Sequence, residues 1–229
     1  MLGVFGGTFD PIHYGHIKPA LSVRQALNLT QLRFIPNRVP PHREKPWLTS
    51  EQRLLLLKTA VLDYPEIIVD ERELNRDGPS YMVDTLKSLK QDFPDETLCL
   101  IIGMDAFYGI SSWFEWRTIF DLCRLVVTTR PGFDRSEVAA HMNSDDYRFL
   151  EQKMSDDINI FTAQDLPAGS PEQSPQEPAK ILLQSVPQLA ISSTQIRENV
   201  QDSEHNSEQV GQWMPPQAYQ KLRGFIDDN

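Results

Sequence analysis

The 229-residue chain is 40% hydrophobic and 9% aromatic with mixed charges, the composition of a globular protein with one substantial core. Its formal net charge of −10 disfavours nonspecific binding to nucleic acid or to an anionic membrane. No basic segment precedes an apolar core near Met1 and no apolar run is long enough to span a bilayer, so a cytoplasmic protein acting on small molecules is expected.

Leu2 to Phe5 is a short apolar run suited to a buried strand, and after it Gly6-Gly7-Thr8-Phe9-Asp10-Pro11-Ile12-His13-Tyr14-Gly15-His16 leads into a helical stripe of Ile17, Ala20, Leu21, Arg24 and Leu27. Glycines at a strand-to-helix junction let a ligand approach backbone N–H groups closely, and the helix start adds unpaired donors and a positive dipole end. An anion belongs there. His13 and His16 are three apart, share a face if the first turn begins near His13, and can donate together to a polyphosphate. For one isolated histidine, capping or packing would be the better reading.

Leu32 to Ile35 reads as the next strand, and from Pro36 a proline-restricted loop carries His42, Arg43 and Lys45, either as phosphate donors or as a solvated connection. Thr49-Ser50-Glu51-Gln52 has capping-box spacing, and the leucines at 54, 55 and 57 with Val61 are expected to be buried in the helix that follows. Ile67 to Val69 is a short strand, residues 70–78 a charged turn, and Pro79-Ser80-Tyr81 opens a helix expected to bury Met82, Leu86 and Leu89.

Residues 97–102, TLCLII, are apolar on both faces, as a central parallel strand should be. Asp105, just past Gly103 at its carboxyl end, is placed either to accept ribose hydroxyls or to cap a helix. Ser112-Trp113-Phe114-Glu115 repeats the capping-box spacing and predicts a helix reaching about Cys123, with Trp113 in its first turn, packing or stacking on a flat ring. Leu125 to Thr128 is the next strand and places Arg130 at its carboxyl end. Cys99 and Cys123 lie in apolar surroundings without metal or redox spacing and read as buried thiols.

Residues 134–153 are helical but weakly apolar, and Ile158 to Phe161 reads as a short strand. Prolines at 167, 171, 175 and 178 predict a mobile surface loop over about 166–178. Ile181 to Leu183 resumes a strand, after which Ser192, Ser193 and Thr194 precede a helix with Arg197 in its first turn: hydroxyls, free N–H groups and a guanidinium make a second anion site. Residues 215–226 form a last amphipathic helix with Tyr219, Leu222 and Ile226. The alternation predicts an α/β fold, a single Rossmann-like doubly wound parallel sheet flanked by helices, forming one domain over 1–229 with both anion sites at one edge.

Two anion-binding helix starts with histidines and an arginine, and no evident Ser–His or Cys–His pair, suggest phosphoryl or nucleotidyl transfer without a covalent intermediate. A phosphate attacker, whose second pKa is about 6, needs no general base. It needs alignment and charge neutralisation, which His13, His16, Arg197 and a magnesium ion could supply.

The first loop resembles the H-x-G-H element of the nucleotidyltransferase superfamily, and in the form GGTFDPxHxGH it resembles bacterial nicotinate-nucleotide adenylyltransferases. The resemblance extends through PNRVPPHR at 36–43, ERELNRDGPSY at 71–81, IIGMD at 101–105, Trp113, TRPG at 129–132 and ISSTQIR at 191–197. It implies joining nicotinate mononucleotide to the AMP moiety of ATP, giving nicotinate adenine dinucleotide and pyrophosphate on the route to NAD, with Mg2+ accompanying ATP. By the same resemblance ATP would be held by Gly6, Gly7, Thr8, Gly15, Gly103, Asp105, Ser193 and Thr194 beside His13, His16 and Arg197. The pyridine nucleotide would be held by His42, Tyr81, Trp113 and Arg130. No resident metal site, nucleic acid or membrane partner is implied, and monomer and homo-oligomer stay equally open.

Met82 departs from the family, in which a threonine commonly follows P-S-Y, and the 166–178 segment looks longer than usual. The alternatives are a transferase preferring the amide mononucleotide, one acting on phosphopantetheine, or a dinucleotide-binding module without catalysis. A Rossmann dehydrogenase fits poorly, because Gly3, Gly6 and Gly7 lack G-x-G-x-x-G spacing. Lys153-Met154-Ser155 matches the K-M-S run of class I aminoacyl-tRNA synthetases, but it is expected in a charged helix and lacks the following lysine.

Overall fold

Each strand among the described residues pairs in parallel with its neighbours. In the computed structural model, which describes residues 1–39, 45–162, 180–187, 189–201 and 207–227, the strands are β1 (Leu2–Gly7), β2 (Gln31–Pro36), β3 (Ile67–Val69), β4 (Leu98–Gly103), β5 (Cys123–Thr129), β6 (Met154–Ser155) and β7 (Ile181–Ser185). They form one seven-stranded sheet of order β3-β2-β1-β4-β5-β7-β6. The chain builds outward from β1 through β2 to β3 and then returns to start β4 on the other side of β1. This is the doubly wound pattern expected from the strand–helix alternation.

The helices are α1 (Tyr14–Leu27), α2 (Ser50–Ala60), α3 (Met82–Asp92), α4 (Met104–Tyr108), α5 (Ile119–Leu122), α6 (Ser136–Ala140), α7 (Ser144–Glu151), α8 (Ile158–Thr162), α9 (Ser193–Gln201), α10 (Ser207–Trp213) and α11 (Pro216–Asp227). The sheet separates two apolar cores. Along β4, Cys99 and Ile101 join the core under α1, α2, α9 and α11, whereas Leu98, Leu100 and Ile102 join the core under α3 and α4, as side-chain alternation demands. The strand with the strongest apolar signal is thus the middle strand of the sheet. Both cysteines are buried, and burial pushes the Cys99 thiol up to about 12. Among the described residues, no helix is long and apolar enough to cross a membrane.

Beyond Val4 and Leu100 the pairing of β1 with β4 stops, although β1 stays paired with β2 as far as Gly7 and Pro36. The strand order reverses here, so the carboxyl ends of β1 and β4 border the crevice in which such sheets bind ligands.

Some local expectations fail, each for a physical reason. Leu55 is 42% exposed, and the buried stripe of α2 is Arg53, Leu56, Leu57 and Ala60. Four consecutive leucines sweep about 300° of a helix, so they cannot all face inward. Met82 is only partly buried, and Val83, Thr85, Leu86 and Leu89 carry the inward face of α3.

The capping box at Ser112 does not form. Glu115 adopts a left-handed backbone (φ 49°) and gives its carboxylate to Lys87 at 2.8 Å, so two 3-10 turns, Ile110–Ser112 and Trp116–Thr118, replace the expected helix up to α5. Ile158 to Phe161 is helical, because Asp157 accepts the Asn159 N–H at 2.8 Å and caps the turn. The edge position is taken by β6, which places Met154 and Ser155 in a strand beside β7, not in a surface helix. The Pro-rich segment at 166–178 lies outside the described residues.

Candidate active site

The loop after β1 is built around buried aromatic rings. Phe9 has a left-handed backbone (φ 50°), a strain of about 1–3 kcal/mol in a residue other than glycine, and its burial offsets that cost. Its ring stacks on Phe34 at 5.6 Å with an interplanar angle of 6° and meets His16 edge-on at 5.4 Å. His13 caps α1, and its backbone N–H donates to His16 Nδ1 at 3.3 Å, which places the proton of a neutral His16 ring on Nε2. The two imidazoles lie 3.8 Å apart, sharing a face as their spacing predicts.

His13 is 4% exposed and its Nδ1 has no hydrogen-bond partner. Burial pushes its imidazole from 6.5 down to about 4, so it is neutral at pH 7 and adds no positive charge beside the second ring. The folded state therefore binds this proton less readily than the unfolded chain. The stability it confers is complete above pH 6.5 and is lost as pH falls from 6.5 to about 4, on the order of 3 kcal/mol in all. We expect the midpoint of thermal unfolding to fall over this window, and His13→Gln, neutral throughout, to flatten the decline. An unchanged pH profile in the variant would contradict the burial argument.

Nearly two hundred residues later, Ser192 and Gln195 form a reciprocal cap at the start of α9, with Gln195 N–H donating to Ser192 Oγ at 3.1 Å and Ser192 N–H to Gln195 Oε1 at 2.9 Å. The residues after the cap reach back to the first loop. Ser193 Oγ donates to the Pro11 carbonyl at 3.0 Å, and Arg197 Nη1 donates to the Asp10 carbonyl at 2.7 Å while Nη2 donates to Thr194 Oγ1 at 3.1 Å. A Cβ on Gly15 would lie 2.8 Å from His13 Nδ1 and 3.2 Å from the Ile191 carbonyl oxygen, so only glycine lets the two segments approach. The two segments expected to bind anions meet in one place.

Asp10, between Phe9 and Pro11, fastens the loop on its other side. Its carboxylate accepts the N–H groups of Trp47 (2.8 Å) and Leu48 (2.9 Å) and lies 3.9 Å from Arg197 Nη1. Thr8 Oγ1 accepts from Asn37 Nδ2 at 3.1 Å, and the Gly7 carbonyl accepts from Asn37 N–H at 3.0 Å. A Cβ on Gly6 would lie 2.5 Å from Met82 Cε, so this glycine makes room for the Met82 thioether against the end of β1.

The remaining expected residues divide. Gly103, at the carboxyl end of β4, is the cap of α4, so the exposed Asp105 in the first turn is not a cap and its carboxylate is available to a ligand. Tyr81 stacks on Phe114 at 4.6 Å, and Trp113, next in the chain, is partly buried against the same core with an extended backbone. Phe114 is 49% exposed, so its stack with Tyr81 forms an aromatic face that reaches solvent, with Trp113 adjacent in sequence. Arg130 follows β5 and its guanidinium stands 3.8 Å from the Glu137 carboxylate. His42 lies outside the described residues. Among the described residues no cluster of His, Cys, Asp and Glu could hold a metal ion.

Sequence reasoning passed over Asp10, Asn37, Arg53 and Phe114. Asp10 and Asn37 sit inside the matched motifs and could have been found there, whereas nothing local marks Arg53 or Phe114.

A sequence profile described as cytidylyltransferase-like matches residues 4–199. A protein of Methylococcus capsulatus named "Probable nicotinate-nucleotide adenylyltransferase" is 43% identical over 198 residues, 86% of each chain, and one of Aeromonas salmonicida with the same name is 42% identical over 172 residues, 72% of this chain and 79% of that one. Among solved structures, the nicotinic acid mononucleotide adenylyltransferase of Plasmodium falciparum complexed with NaAD superposes with a TM-score of 0.67 over 98% of this chain and 95% of that one at 15% identity, which bears on the fold alone.

Proposed function

This chain belongs to the cytidylyltransferase-like family and, within it, to the nicotinate-nucleotide adenylyltransferases of NAD biosynthesis, and from that premise we propose that it transfers AMP from ATP to the phosphate of nicotinate mononucleotide by direct in-line displacement. The observation that carries the mechanism is the meeting of Ser193 with Pro11 and of Arg197 with Asp10, across 182 and 187 residues of sequence. A dinucleotide-binding module has no need of a second anion-binding helix start.

In this reading the triphosphate lies across the starts of α1 and α9, where the side chains of His13, His16, Thr194 and Arg197 and the backbone N–H of Ser193 donate to its oxygens beside the backbone of Gly6, Gly7, Thr8 and Gly15. The 5′-phosphate of the mononucleotide attacks the α-phosphorus, and one new P–O bond forms. The bond from the α-phosphorus to the bridging oxygen breaks, and pyrophosphate leaves with the electron pair. The attacker is largely a dianion at neutral pH, since its second pKa is about 6, so no base is required. Magnesium enters as the ATP complex, part of the substrate, in keeping with the cation's preference for phosphate oxygens and water over an all-protein cage. Asp105, beyond Gly103, accepts ribose hydroxyls, and Tyr81 and Trp113 offer the aromatic face to the pyridine ring, with His42 and Arg130 as further contacts.

Met82 brings no hydroxyl to the pyridine side, so selectivity for the acid must come from other donors. The test is pyrophosphate release with ATP and magnesium, comparing nicotinate mononucleotide with its amide under matched conditions. A strong preference for the acid is expected. Preference for the amide would overturn the substrate but keep the chemistry, and no release with either would overturn the transferase reading.

A further inference from the structure

Arg53 is 1% exposed, the largest fully buried side chain among the described residues, and it lies on the inward face of α2 where a helix ordinarily places an apolar group. Its guanidinium is spent entirely on neutral oxygens. Nη1 donates to the Thr8 carbonyl at 2.7 Å and approaches Asn37 Oδ1 at 3.4 Å, while Nη2 donates to Ser50 Oγ at 3.1 Å and approaches the Arg38 carbonyl at 3.4 Å. Among the described residues none of its partners is a carboxylate, and its Nε has no hydrogen-bond partner. The Asp10 and Glu51 carboxylates act on this charge only through space, without a hydrogen bond to it. A buried charge so indirectly paired is costly, so a role in fold stability alone explains it poorly: an apolar side chain of similar volume would pack there at less expense.

What Arg53 does is join two loops. One is the Thr8–Asp10 loop of the anion site. The other is the segment after β2, where Arg38 N–H donates to Ser80 Oγ at 3.0 Å and Ser80 N–H to the Val39 carbonyl at 3.0 Å, carrying the connection on to Tyr81 and the aromatic face. We propose that Arg53 is a positioning residue for adenylyl transfer, holding the triphosphate loop in register with the loop that leads to the pyridine nucleotide, with a charge that only distant carboxylates compensate further balanced when the polyphosphate binds. This rests on the function proposed above for the same site. The attack requires the two substrates' phosphates to be aligned, and a misplacement of about 1 Å can lower a rate by about 100-fold.

Two variants of the full chain test this, Arg53→Lys and Asn37→Ala. Lysine keeps the charge but cannot span both loops. Asn37→Ala removes the second tie, from Asn37 Nδ2 to Thr8 Oγ1, at a half-buried position where folding is less at risk. At saturating substrates, well below each variant's unfolding midpoint, kcat is expected to fall about 10- to 100-fold in Arg53→Lys and by a smaller factor in Asn37→Ala. The KM for ATP should move much less in both. A third variant, Arg53→Met, should in addition lose most of the thermal stabilisation that pyrophosphate alone gives the wild-type chain. A lowered unfolding midpoint with wild-type kcat in Arg53→Lys and Asn37→Ala would make Arg53 merely structural and overturn the proposal. An inactive wild-type chain would instead overturn the transferase reading. The pyrophosphate shift would still then decide whether the charge of Arg53 answers to a bound polyphosphate, equal shifts in Arg53→Met and wild type overturning that.

Discussion

Replacing His16 with alanine is expected to lower turnover by about 100- to 1,000-fold, the loss that follows removal of one pre-aligned donor to a developing oxyanion, while binding of the pyridine nucleotide stays nearly unchanged. In the proposed mechanism charge builds on the departing pyrophosphate, and an Nε2–H on a ring that is fixed at Nδ1 and packed edge-on to Phe9 would reach it without reorganisation. The alanine variant also deprives the His13 N–H of its acceptor, so His16→Asn is the sharper probe. Its side-chain oxygen can replace Nδ1 in that hydrogen bond, yet it has nothing at the position of Nε2. Equal losses in both variants would assign the effect to Nε2. Recovery in the asparagine variant would reduce His16 to a cap, and near-wild-type turnover in both would remove it from the mechanism.

Arg197→Lys should be nearly as damaging, with kcat/KM for ATP lowered by about 100-fold. The guanidinium divides its donors, Nη1 to the Asp10 carbonyl and Nη2 to Thr194 Oγ1, and so stands between the two helix starts with its plane fixed. An ammonium can take one of these acceptors but cannot keep both and still face a phosphate. Stability should also fall, by about 1–2 kcal/mol for the lost hydrogen bonds, so the kinetic comparison belongs well below the variant's unfolding midpoint. A kcat/KM within about threefold of wild type would show that the contact is only a strap.

Much of this site could be read before its geometry was known because the signals were local. A glycine pair between an apolar run and a helical stripe, and three hydroxyls ahead of an arginine, each fix their own strand-to-helix or loop-to-helix junction. The parallel sheet then brings such junctions to one edge. The apolar run at 97–102 declared a central strand for the same reason, since only a strand covered on both faces can be apolar throughout.

What stayed hidden depends on partners distant in sequence. Thr49-Ser50-Glu51-Gln52 and Ser112-Trp113-Phe114-Glu115 carry the same spacing, and the first caps a helix while the second does not, because Glu115 finds Lys87, 28 residues away. Arg53 interrupts a leucine-rich helix like any exposed charge, and its chief acceptor is 45 residues earlier. Leu55 could have been placed correctly from helical phase, since the inward stripe repeats at three and four residues and excludes it. Phe114 gives no sign of its stacking on Tyr81 until α3 and the 3-10 turns are packed together.

In the proposed mechanism the converged helix starts pass AMP from ATP to the mononucleotide phosphate in a single displacement. Running the reaction with ATP made chiral at the α-phosphorus by one sulfur, and determining the configuration at that phosphorus in the dinucleotide product, measures this most directly. Inversion is the predicted result. Retention would require two successive displacements, hence a covalent adenylyl intermediate on the protein, and would contradict the mechanism derived from His13, His16 and Arg197.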